Sequence, residues 1–465
     1  MPLLNPDRLF PAEPSIRSIA RRLHAEIASL PIISPHGHTQ ASWFSSNQPF
    51  ADPATLFIQP DHYVYRMLYS QGISMQELSL GEPAVGNPRA LWHTFAAHYH
   101  LFRGTPTRLW LDWEFSNLFG LEERLCASTA DLYFDTISEK LRSPDFLPRK
   151  LFERFNIALL STTDSPLDLL DDHLALRAST WQGRILPTFR PDPVVDPEYS
   201  GFRENLVLLG KQTREDTSCW PGYLAALRKA RARFIAAGCK ATDHGHPTAQ
   251  TLNLSHSEAE ALFAKVISKD PSSDDCEGFR AQMLTEMAAM SLDDGLVMQL
   301  HPGAVRNHNS KLFARWGRDI GADIPHATNY VDALRPLLER FGNEPSLTLI
   351  LFTLDETTYS RELAPLAGHY PCLRLGPPWW FHDSPEGMLR YRQQVTESAG
   401  FYNTVGFNDD TRAFLSIPAR HDLARRMDCV FLARLVSEGR LDEDEALELA
   451  HELTHGLVTR AYHLE

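Results

Sequence analysis

Short apolar segments recur along the 465-residue chain, nearly all of them ending in a polar or charged residue, and amphipathic stretches separate them. Apolar runs of this length are typical of buried strands, whereas the spacing between them favours helices. This alternation predicts an α/β fold with a parallel sheet, and eight such units predict a (β/α)₈ barrel of the TIM type. The predicted strands are 31–36, 156–163, 184–190, 238–243, 296–301, 347–354, 372–376 and 404–410.

The stretch between the first two predicted strands is much longer than the other connections. Residues 40–150 contain helical patterns and many aromatic side chains, and no internal repeat, linker or low-complexity tract divides the chain. Length alone would favour two or three domains. We instead interpret residues 1–465 as one barrel domain, with residues 40–150 forming a helical insertion between strands 1 and 2 at the barrel mouth.

Helical signals also mark both ends of the chain. Residues 15–30 place their apolar side chains on one helical face, and residues 422–437 carry a second apolar stripe that ends before Gly439. Asp442 is followed three positions later by Glu445, the spacing of a capping box. We therefore predict helices over both stretches and a terminal helix that begins after Asp442.

Charge and cysteine content restrict the partners and the compartment. Lysine and arginine number 45 against 59 aspartates and glutamates, and the net charge of −14 disfavours nucleic acid or an anionic membrane as a partner. No apolar run could span a bilayer, and the N-terminus lacks the pattern of a secretory signal. Six scattered cysteines suit a reducing cytoplasm. We expect a cytoplasmic protein that attracts any anionic substrate with a few local arginines.

Chemically active residues follow the predicted strands. In a barrel of this kind the catalytic groups lie at the carboxyl ends of the strands and on the loops after them. Histidines, carboxylates, arginines and a tryptophan pair are therefore expected to converge on one opening. These residues are His36, His38, Thr163, Asp164, Arg190, Asp243, His244, His301, Asp355, Trp379, Trp380, Asp410 and Arg412.

The strongest metal-binding pattern is His36-Gly37-His38 together with Asp410. Alternate residues of a strand face the same way, so both imidazoles can reach one ion. Asp410 ends the last predicted strand, which lies beside the first when the barrel closes. This N/O donor set suits zinc or another divalent transition metal. The plainer alternatives are two ordinary loop histidines and a surface ion pair between Asp410 and Arg412.

Other strand-end residues have both a structural and a functional interpretation. His301 is either a core histidine or part of the site, and Arg190 either caps a helix or binds a carboxylate through its planar fork of donors. Trp379 and Trp380 either pack in the core or line a sugar pocket. Asp243 could support a metal ligand from behind.

With these residues in place, the chain resembles the uronate isomerases of the amidohydrolase superfamily over nearly its whole length. No single motif decides the resemblance, but their number and order are specific. The motifs are Asp61-His62-Tyr63-Val64-Tyr65-Arg66, Thr162-Thr163-Asp164-Ser165-Pro166, Arg190-Pro191-Asp192, Cys239-Lys240-Ala241-Thr242-Asp243-His244, Gln299-Leu300-His301-Pro302-Gly303-Ala304, Trp379-Trp380-Phe381 and Asp410-Thr411-Arg412-Ala413-Phe414-Leu415-Ser416.

The resemblance implies a (β/α)₈ barrel with one divalent metal ion, often zinc, that converts D-glucuronate to D-fructuronate and D-galacturonate to D-tagaturonate. It implies the metal ligands His36, His38 and Asp410. From the chemistry of isomerisation we further expect Asp410 to transfer the proton between C2 and C1 through an enediol. Tyr63 and His301 would assist this transfer. The residues expected to bind the hexuronate are Arg190, Arg412, Trp379, Trp380 and His62.

Two alternatives remain open at this point. A mononuclear hydrolase of the same superfamily, such as a lactonase or deaminase, would use the same donor set to activate water. A binuclear hydrolase is disfavoured, because the fourth predicted strand ends in Thr242-Asp243-His244 without a bridging lysine or glutamate. A catalytically silent barrel that serves binding or assembly would have lost its ligands. The chain is also compatible with a homo-oligomer.

Overall fold

The computed structural model describes residues 3–78, 86–268 and 270–464. Within these residues there are nine strands: β1 (Ile32–Ser34), β2 (Ile157–Ser161), β3 (Ile185–Leu186), β4 (Ala241–His244), β5 (Val297–Leu300), β6 (Ala304–Val305), β7 (Ile324–Pro325), β8 (Leu349–Leu351) and β9 (Leu373–Leu375).

The same residues form 21 α-helices. They are α1 (Pro14–Ile27), α2 (Ala41–Ser46), α3 (Pro53–Phe57), α4 (His62–Ser70), α5 (Pro88–His98), α6 (Pro106–Asn117), α7 (Ala130–Leu141), α8 (Pro148–Arg154), α9 (Asp171–Ala178), α10 (Asp192–Val195), α11 (Phe202–Thr213), α12 (Trp220–Ala236), α13 (His256–Val266), α14 (Ser273–Asp294), α15 (Ser310–Trp316), α16 (Val331–Phe341), α17 (Ala364–Ala367), α18 (Pro385–Ala399), α19 (Ile417–Ser437), α20 (Glu443–His451) and α21 (Leu457–Ala461).

The strands form an α/β fold with parallel sheets. One sheet has the order β1-β2-β3, and another has the order β4-β5-β8-β9, with every pair in these two sheets parallel. Phe189 links them, since it bridges both Asp164 and Thr242. Seven of the eight predicted strands are therefore confirmed in the predicted order, although the regular ladders are shorter than the apolar runs.

The eighth predicted strand, 404–410, is not a regular strand. Only Thr404 pairs with its neighbour, through an isolated parallel bridge to Leu375. Gly406 follows two residues later with φ at 77°, a left-handed conformation that interrupts an extended ladder. The apolar pattern of this segment therefore reflects burial beside the sheet rather than continuous strand pairing.

One antiparallel hairpin was not predicted. β6 and β7 pair with each other after β5, and α15 lies between them. Each strand has two residues, which is too short for an alternating pattern to be visible in the sequence. The hairpin and its helix form one wall of the cavity described below.

Helices α2 to α8 lie between β1 and β2, where the helical insertion is predicted; residues 79–85 of that stretch lie outside the described residues. Their aromatic side chains are buried together with apolar residues of the strands. This shared hydrophobic cluster includes Trp92, Phe95, Tyr99, Phe115 and Tyr133 from the helices and Ile32, Leu160, Ile185 and Phe414 from elsewhere.

The predicted terminal helices are present. α1 and α20 begin close to their predicted starts, and α20 has the predicted capping box between Asp442 and Glu445. α19 starts at Ile417, five residues before the predicted boundary, because Pro418 lies in the first turn, where proline is favoured. Among the described helices, none combines the length and apolar character needed to cross a bilayer.

The N-terminal segment is tied to α19 through one carboxylate. Asp422 accepts hydrogen bonds from Arg8 and from Nε of Arg426 at 3.0 Å, and its Oδ1 lies 3.2 Å from Nε2 of His24. Burial opposes ionisation of Asp422, but His24, Arg8 and Arg426 outweigh it and lower its pKa to about 2. The cluster therefore stabilises the packing of residues 3–27 on the final helices.

Replacing Asp422 should destabilise the fold in a pH-dependent way. The pKa is depressed from 3.8, so Asp422→Asn should cost about 2 kcal/mol of unfolding free energy at pH 7. This contribution is complete above pH 3.8 and is lost as the pH falls toward 2. In urea denaturation, the difference in unfolding free energy between Asp422→Asn and wild type should therefore become smaller below about pH 4.

Asp216→Asn is the matched control, because Asp216 hydrogen-bonds only within its own turn, to Ser218. It should leave the unfolding free energy within about 0.5 kcal/mol of wild type. Equal stability of the Asp422 variant and wild type at pH 7 would contradict the prediction.

Candidate active site and metal centre

One cavity of about 810 Å³ opens at the carboxyl ends of the parallel strands. The ten residues expected to bind the metal or the substrate or to transfer protons all line it, although they come from six separate parts of the chain. They are His36, His38, His62, Tyr63, Arg190, His301, Trp379, Trp380, Asp410 and Arg412.

The residues around Asp410 form the deepest polar cluster. Oδ1 of Asp410 lies 3.1 Å from Nε2 of His38 and 3.4 Å from Nε2 of His36. The backbone of Asp410 has φ at 38°, an unusual conformation that aspartate tolerates better than most residues. Burial would raise the pKa of Asp410, but the two imidazoles hold it well below its usual range. Asp410 is therefore a carboxylate.

His301 stands beside this cluster and is oriented from behind. Its Nδ1 lies 2.6 Å from Oδ1 of Asp243, and its ring stacks on that of His36 with centroids 4.8 Å apart. Burial would raise the pKa of Asp243, but Arg190 and His301 hold it well below its usual range. Burial lowers the pKa of His301 itself. A neutral imidazole that donates through Nδ1 presents its Nε2 lone pair to the cavity.

The donor set fits a divalent cation. One ligand atom each from His36, His301 and Asp410 lies within 4.8 Å of the others. Within the described part of the chain, Nδ1 of His36 and Nε2 of His301 are buried and have no hydrogen-bond partner. Imidazole nitrogens with a carboxylate oxygen are a common set for zinc and similar ions. The group that meets this spacing includes His301 in addition to two of the three predicted ligands; His38 adjoins it through Asp410.

The cavity arginines differ in how firmly protein carboxylates hold them. Arg190 donates from Nε to Asp192 at 2.8 Å and from Nη1 to Asp243 at 2.9 Å. Arg412 pairs with Asp319 at 3.3 Å, and its side chain is 38% exposed, against 22% for Arg190. A substrate carboxylate would therefore meet a more accessible guanidinium at Arg412, whereas Arg190 mainly holds Asp243.

Aromatic side chains form another wall. Trp379 packs edge-on against the ring of His301 with centroids 4.7 Å apart, and Trp380 lies 6.2 Å from the ring of His62. Nε2 of His62 is buried without a hydrogen-bond partner among the described residues. Burial, followed by the charge of Arg412, lowers the pKa of His62 to about 3, so this ring is neutral.

Comparison with known proteins identifies the family of this chain. Residues 15–460 match the glucuronate isomerase family. The chain belongs to the glucuronate isomerase family. It is 64% identical over 461 residues to the uronate isomerase of Rhizorhabdus wittichii, which spans 99% of this chain and 98% of that relative.

Solved structures show the same fold. The crystal structure of glucuronate isomerase from Caulobacter crescentus matches with a TM-score of 0.99 at 57% identity, covering 100% of this chain and 98% of that one. Uronate isomerase from Thermotoga maritima matches with a TM-score of 0.93 at 28% identity, covering 99% of each chain. Membership of the family, predicted from the motifs, is thereby confirmed, and the isomerase is favoured over the hydrolase.

Two residues of this glucuronate isomerase family member were missed by the sequence analysis. The hydroxyl of Tyr63 donates to Oδ1 of Asp383 at 2.9 Å, and Nη1 of Arg420 donates to Oδ2 of Asp383 at 2.7 Å. Neither Asp383 nor Arg420 follows a strand, so the strand-end rule could not find them. Conversely, Asp355 follows β8 but is not among the residues lining the cavity, since its carboxylate accepts from the backbone N–H of Thr328 at 3.2 Å.

Asp243 should be essential to the stability of the polar cluster that it forms with Arg190 and His301. Asp243→Ala would leave Arg190 and His301 buried without their shared carboxylate, which should cost about 3 kcal/mol of unfolding free energy. Asp243→Asn should cost less, because the amide oxygen retains one of the two hydrogen bonds. Guanidinium denaturation of metal-free protein at pH 7 measures both.

Asp164 offers a matched control at a neighbouring strand end. Burial raises its pKa to about 7, and its side chain hydrogen-bonds to the hydroxyl of Thr162. Asp164→Asn should therefore not destabilise the fold at pH 7, because the neutral amide avoids the cost of ionising a buried carboxyl. Equal losses of unfolding free energy in Asp164→Asn and Asp243→Ala would refute the role of Asp243 in holding Arg190 and His301.

Proposed function

We propose that this protein is a uronate isomerase that interconverts D-glucuronate with D-fructuronate and D-galacturonate with D-tagaturonate. The observation that carries the proposal is that an ionised Asp410, neighbouring imidazoles and the accessible Arg412 line one cavity in a member of the glucuronate isomerase family. Its relatives are named uronate isomerase and glucuronate isomerase. The cavity of about 810 Å³ has room for a hexuronate, and Arg412 offers a guanidinium to its carboxylate.

We further propose that the parallel sheets belong to one closed (β/α)₈ barrel, in a single domain over residues 1–465 with residues 40–150 inserted at its mouth. Residues 404–410 would occupy the eighth position. This is supported by the bridge between Leu375 and Thr404 on one side. On the other side, the N–H of His38 donates to the carbonyl of Thr411 at 3.0 Å.

The cation is proposed to be zinc or another divalent ion held by His36, His38 and Asp410, with His301 in reach. Its bound charge would polarise the sugar oxygens and stabilise developing negative charge. The assignment is supported by Nε2 of His36, which lies 3.4 Å from Oδ1 of Asp410, and by Nε2 of His301, which is buried without a hydrogen-bond partner among the described residues.

Isomerisation requires a proton to leave C2 and return to C1, with an enediol between. We assign this transfer to the carboxylate of Asp410, which is ionised and lies in the cavity. A second proton must move from the oxygen at C2 to the oxygen at C1. Tyr63 and His301 are proposed to assist here, because the hydroxyl and the imidazole line the same cavity.

Substrate orientation is assigned to the remaining cavity residues. Arg412 would bind the uronate carboxylate with its planar donors, and Arg190 would contribute from deeper in the site. His62, Trp379 and Trp380 would enclose the sugar and exclude water. Enclosure matters, because hydrogen bonds and charges act more strongly in a dry site than in water.

Proton NMR in deuterated water tests the function directly. Metal-loaded protein should convert D-glucuronate to D-fructuronate, and the deuterium at C1 reports how far the transferred proton exchanges with solvent. Asp410→Asn should remain folded but lose turnover by roughly 10²–10⁴-fold, the range expected for a positioned acid–base group. Full activity of that variant would remove Asp410 from the mechanism.

The same samples distinguish the isomerase from the hydrolase. No conversion of glucuronate or galacturonate with zinc, manganese or cobalt, combined with hydrolysis of sugar lactones, would overturn the proposed function. Metal analysis by mass spectrometry should accompany each sample, so that inactivity from poor loading is not read as absence of the reaction.

Arg412→Met should act mainly on substrate binding. Losing a charge-assisted contact to the carboxylate should raise KM for glucuronate by roughly 10- to 100-fold. Arg335→Met is the control, because Arg335 is exposed on α16 and pairs with Glu339 in the same helix. Steady-state kinetics should leave the control unchanged. An unaltered KM in the Arg412 variant would remove this residue from the site.

A further inference from the structure

Tyr63, Asp383 and Arg420 form a buried chain of hydrogen bonds at the edge of the cavity. Tyr63 and Arg420 line the cavity, whereas Asp383 lies behind them and is 5% exposed. The Asp383 carboxylate accepts one hydrogen bond from each neighbour, at 2.9 Å from the Tyr63 hydroxyl and 2.7 Å from Nη1 of Arg420. Three separate parts of the chain meet in this contact: α4, the turn before α18, and α19.

Arg420 has little freedom to leave Asp383. Its guanidinium stacks on the ring of Trp110 with Cζ 3.5 Å from the ring centroid, and its Nε donates to Oγ of Ser416 at 3.0 Å. Its side chain is 3% exposed. A guanidinium only donates hydrogen bonds and keeps its charge, so it fixes one oxygen of Asp383 as an acceptor.

The backbone that carries Asp383 is also tightly fixed. Ser384 caps α18 by accepting from the N–H of Gly387 at 3.1 Å. A Cβ at Gly387 would lie only 2.2 Å from the carbonyl oxygen of His382, so this close turn requires glycine. The position of Asp383 is therefore set by its own turn as well as by Arg420.

We propose that Asp383 is a positioning residue that sets the direction of the Tyr63 hydroxyl. Burial raises the pKa of Asp383 to about 7, although Arg420 and the Tyr63 hydroxyl favour its charged form, so Asp383 is ionised above neutral pH. An ionised carboxylate offers only acceptors, so the hydrogen of Tyr63 then points toward Asp383 and the lone pairs of its oxygen remain for the substrate. Tyr63 then meets a sugar hydroxyl as an acceptor. This inference rests on the proposed function for its effect on turnover, but the direction of the hydroxyl can be measured without turnover.

Asp383→Asn should reverse that direction while preserving the shape of the side chain. Arg420 can only donate, so the amide oxygen must face Arg420 and the amide nitrogen must face Tyr63. Tyr63 then accepts from the amide, and its hydrogen points into the cavity. The substitution therefore turns the Tyr63 hydroxyl from a hydrogen-bond donor toward residue 383 into an acceptor, without removing the hydroxyl.

A double-mutant cycle on the metal-loaded enzyme tests the coupling. Asp383→Asn should lower kcat for glucuronate by roughly 10- to 100-fold, with KM changed less than about threefold. In the Tyr63→Phe background the same substitution should change kcat by less than about threefold, because no hydroxyl remains to be oriented. Equal losses in both backgrounds, or no loss in either, would overturn the proposal.

Infrared spectroscopy of protein labelled with ¹³C-tyrosine gives a second readout. The difference between wild type and Tyr63→Phe isolates the C–O stretching band of Tyr63, whose position distinguishes a hydroxyl that donates from one that only accepts. Wild type should show a donor to a carboxylate, and Asp383→Asn should shift the band to that of an acceptor. An acceptor band in wild type would refute the proposal even if Asp383→Asn failed to fold.

The kinetic measurements and the infrared band together distinguish a failure of the proposed function from a failure of the positioning role of Asp383. If wild type converts no uronate while the infrared band shows Tyr63 donating to Asp383 and responding to Asp383→Asn, the proposed function fails and the positioning role stands. If uronate is converted but the cycle is additive, the positioning role fails and the function stands.

Discussion

The carboxylate of Asp243 is the interaction on which the geometry of the cavity depends. Asp243 is the penultimate residue of β4 and is completely buried, and its carboxylate holds Arg190 from the segment after β3 and His301 directly after β5. Three neighbouring strand ends are thereby fixed relative to one another by charge-assisted hydrogen bonds, which are stronger than neutral ones. The nitrogen of His301 that faces His36 and Asp410 is aimed by this contact.

Three arginines of the cavity, Arg190, Arg412 and Arg420, differ in how closely carboxylates of the protein pair with them. Arg190 and Arg420 are held by buried aspartates and act on the protein's own residues, whereas Arg412 has a longer, more exposed pairing. A chain with a net charge of −14 cannot attract an anion through its overall field. Arg412 is therefore better suited to recognising an anion than Arg190 or Arg420, whose guanidinium groups are less exposed.

The sequence predicted the parts of this molecule that follow from repeated local rules. Buried strands need apolar runs, and parallel strands place their carboxyl ends together, so His36, Arg190 and His301 could be expected at one opening. The partial failure at 404–410 has a local cause in Gly406, whose left-handed backbone overrides an apolar pattern. The β6–β7 hairpin was too short to carry any pattern at all.

Asp383 shows where such rules end. Its partner Tyr63 lies 320 positions away in the sequence. Tyr63 lies in α4 and Asp383 in the turn before α18, so neither residue follows a strand, and no regular sequence spacing predicts their contact. Such residues are recognised only in the folded structure, from whether their buried polar atoms have hydrogen-bond partners. Asp243 and Asp383 each find donors for both carboxylate oxygens, whereas, in the described residues, Nε2 of His301 is buried without a partner. Because an unpaired buried polar group costs about 1–3 kcal/mol, a ligand that binds this nitrogen stabilises the fold.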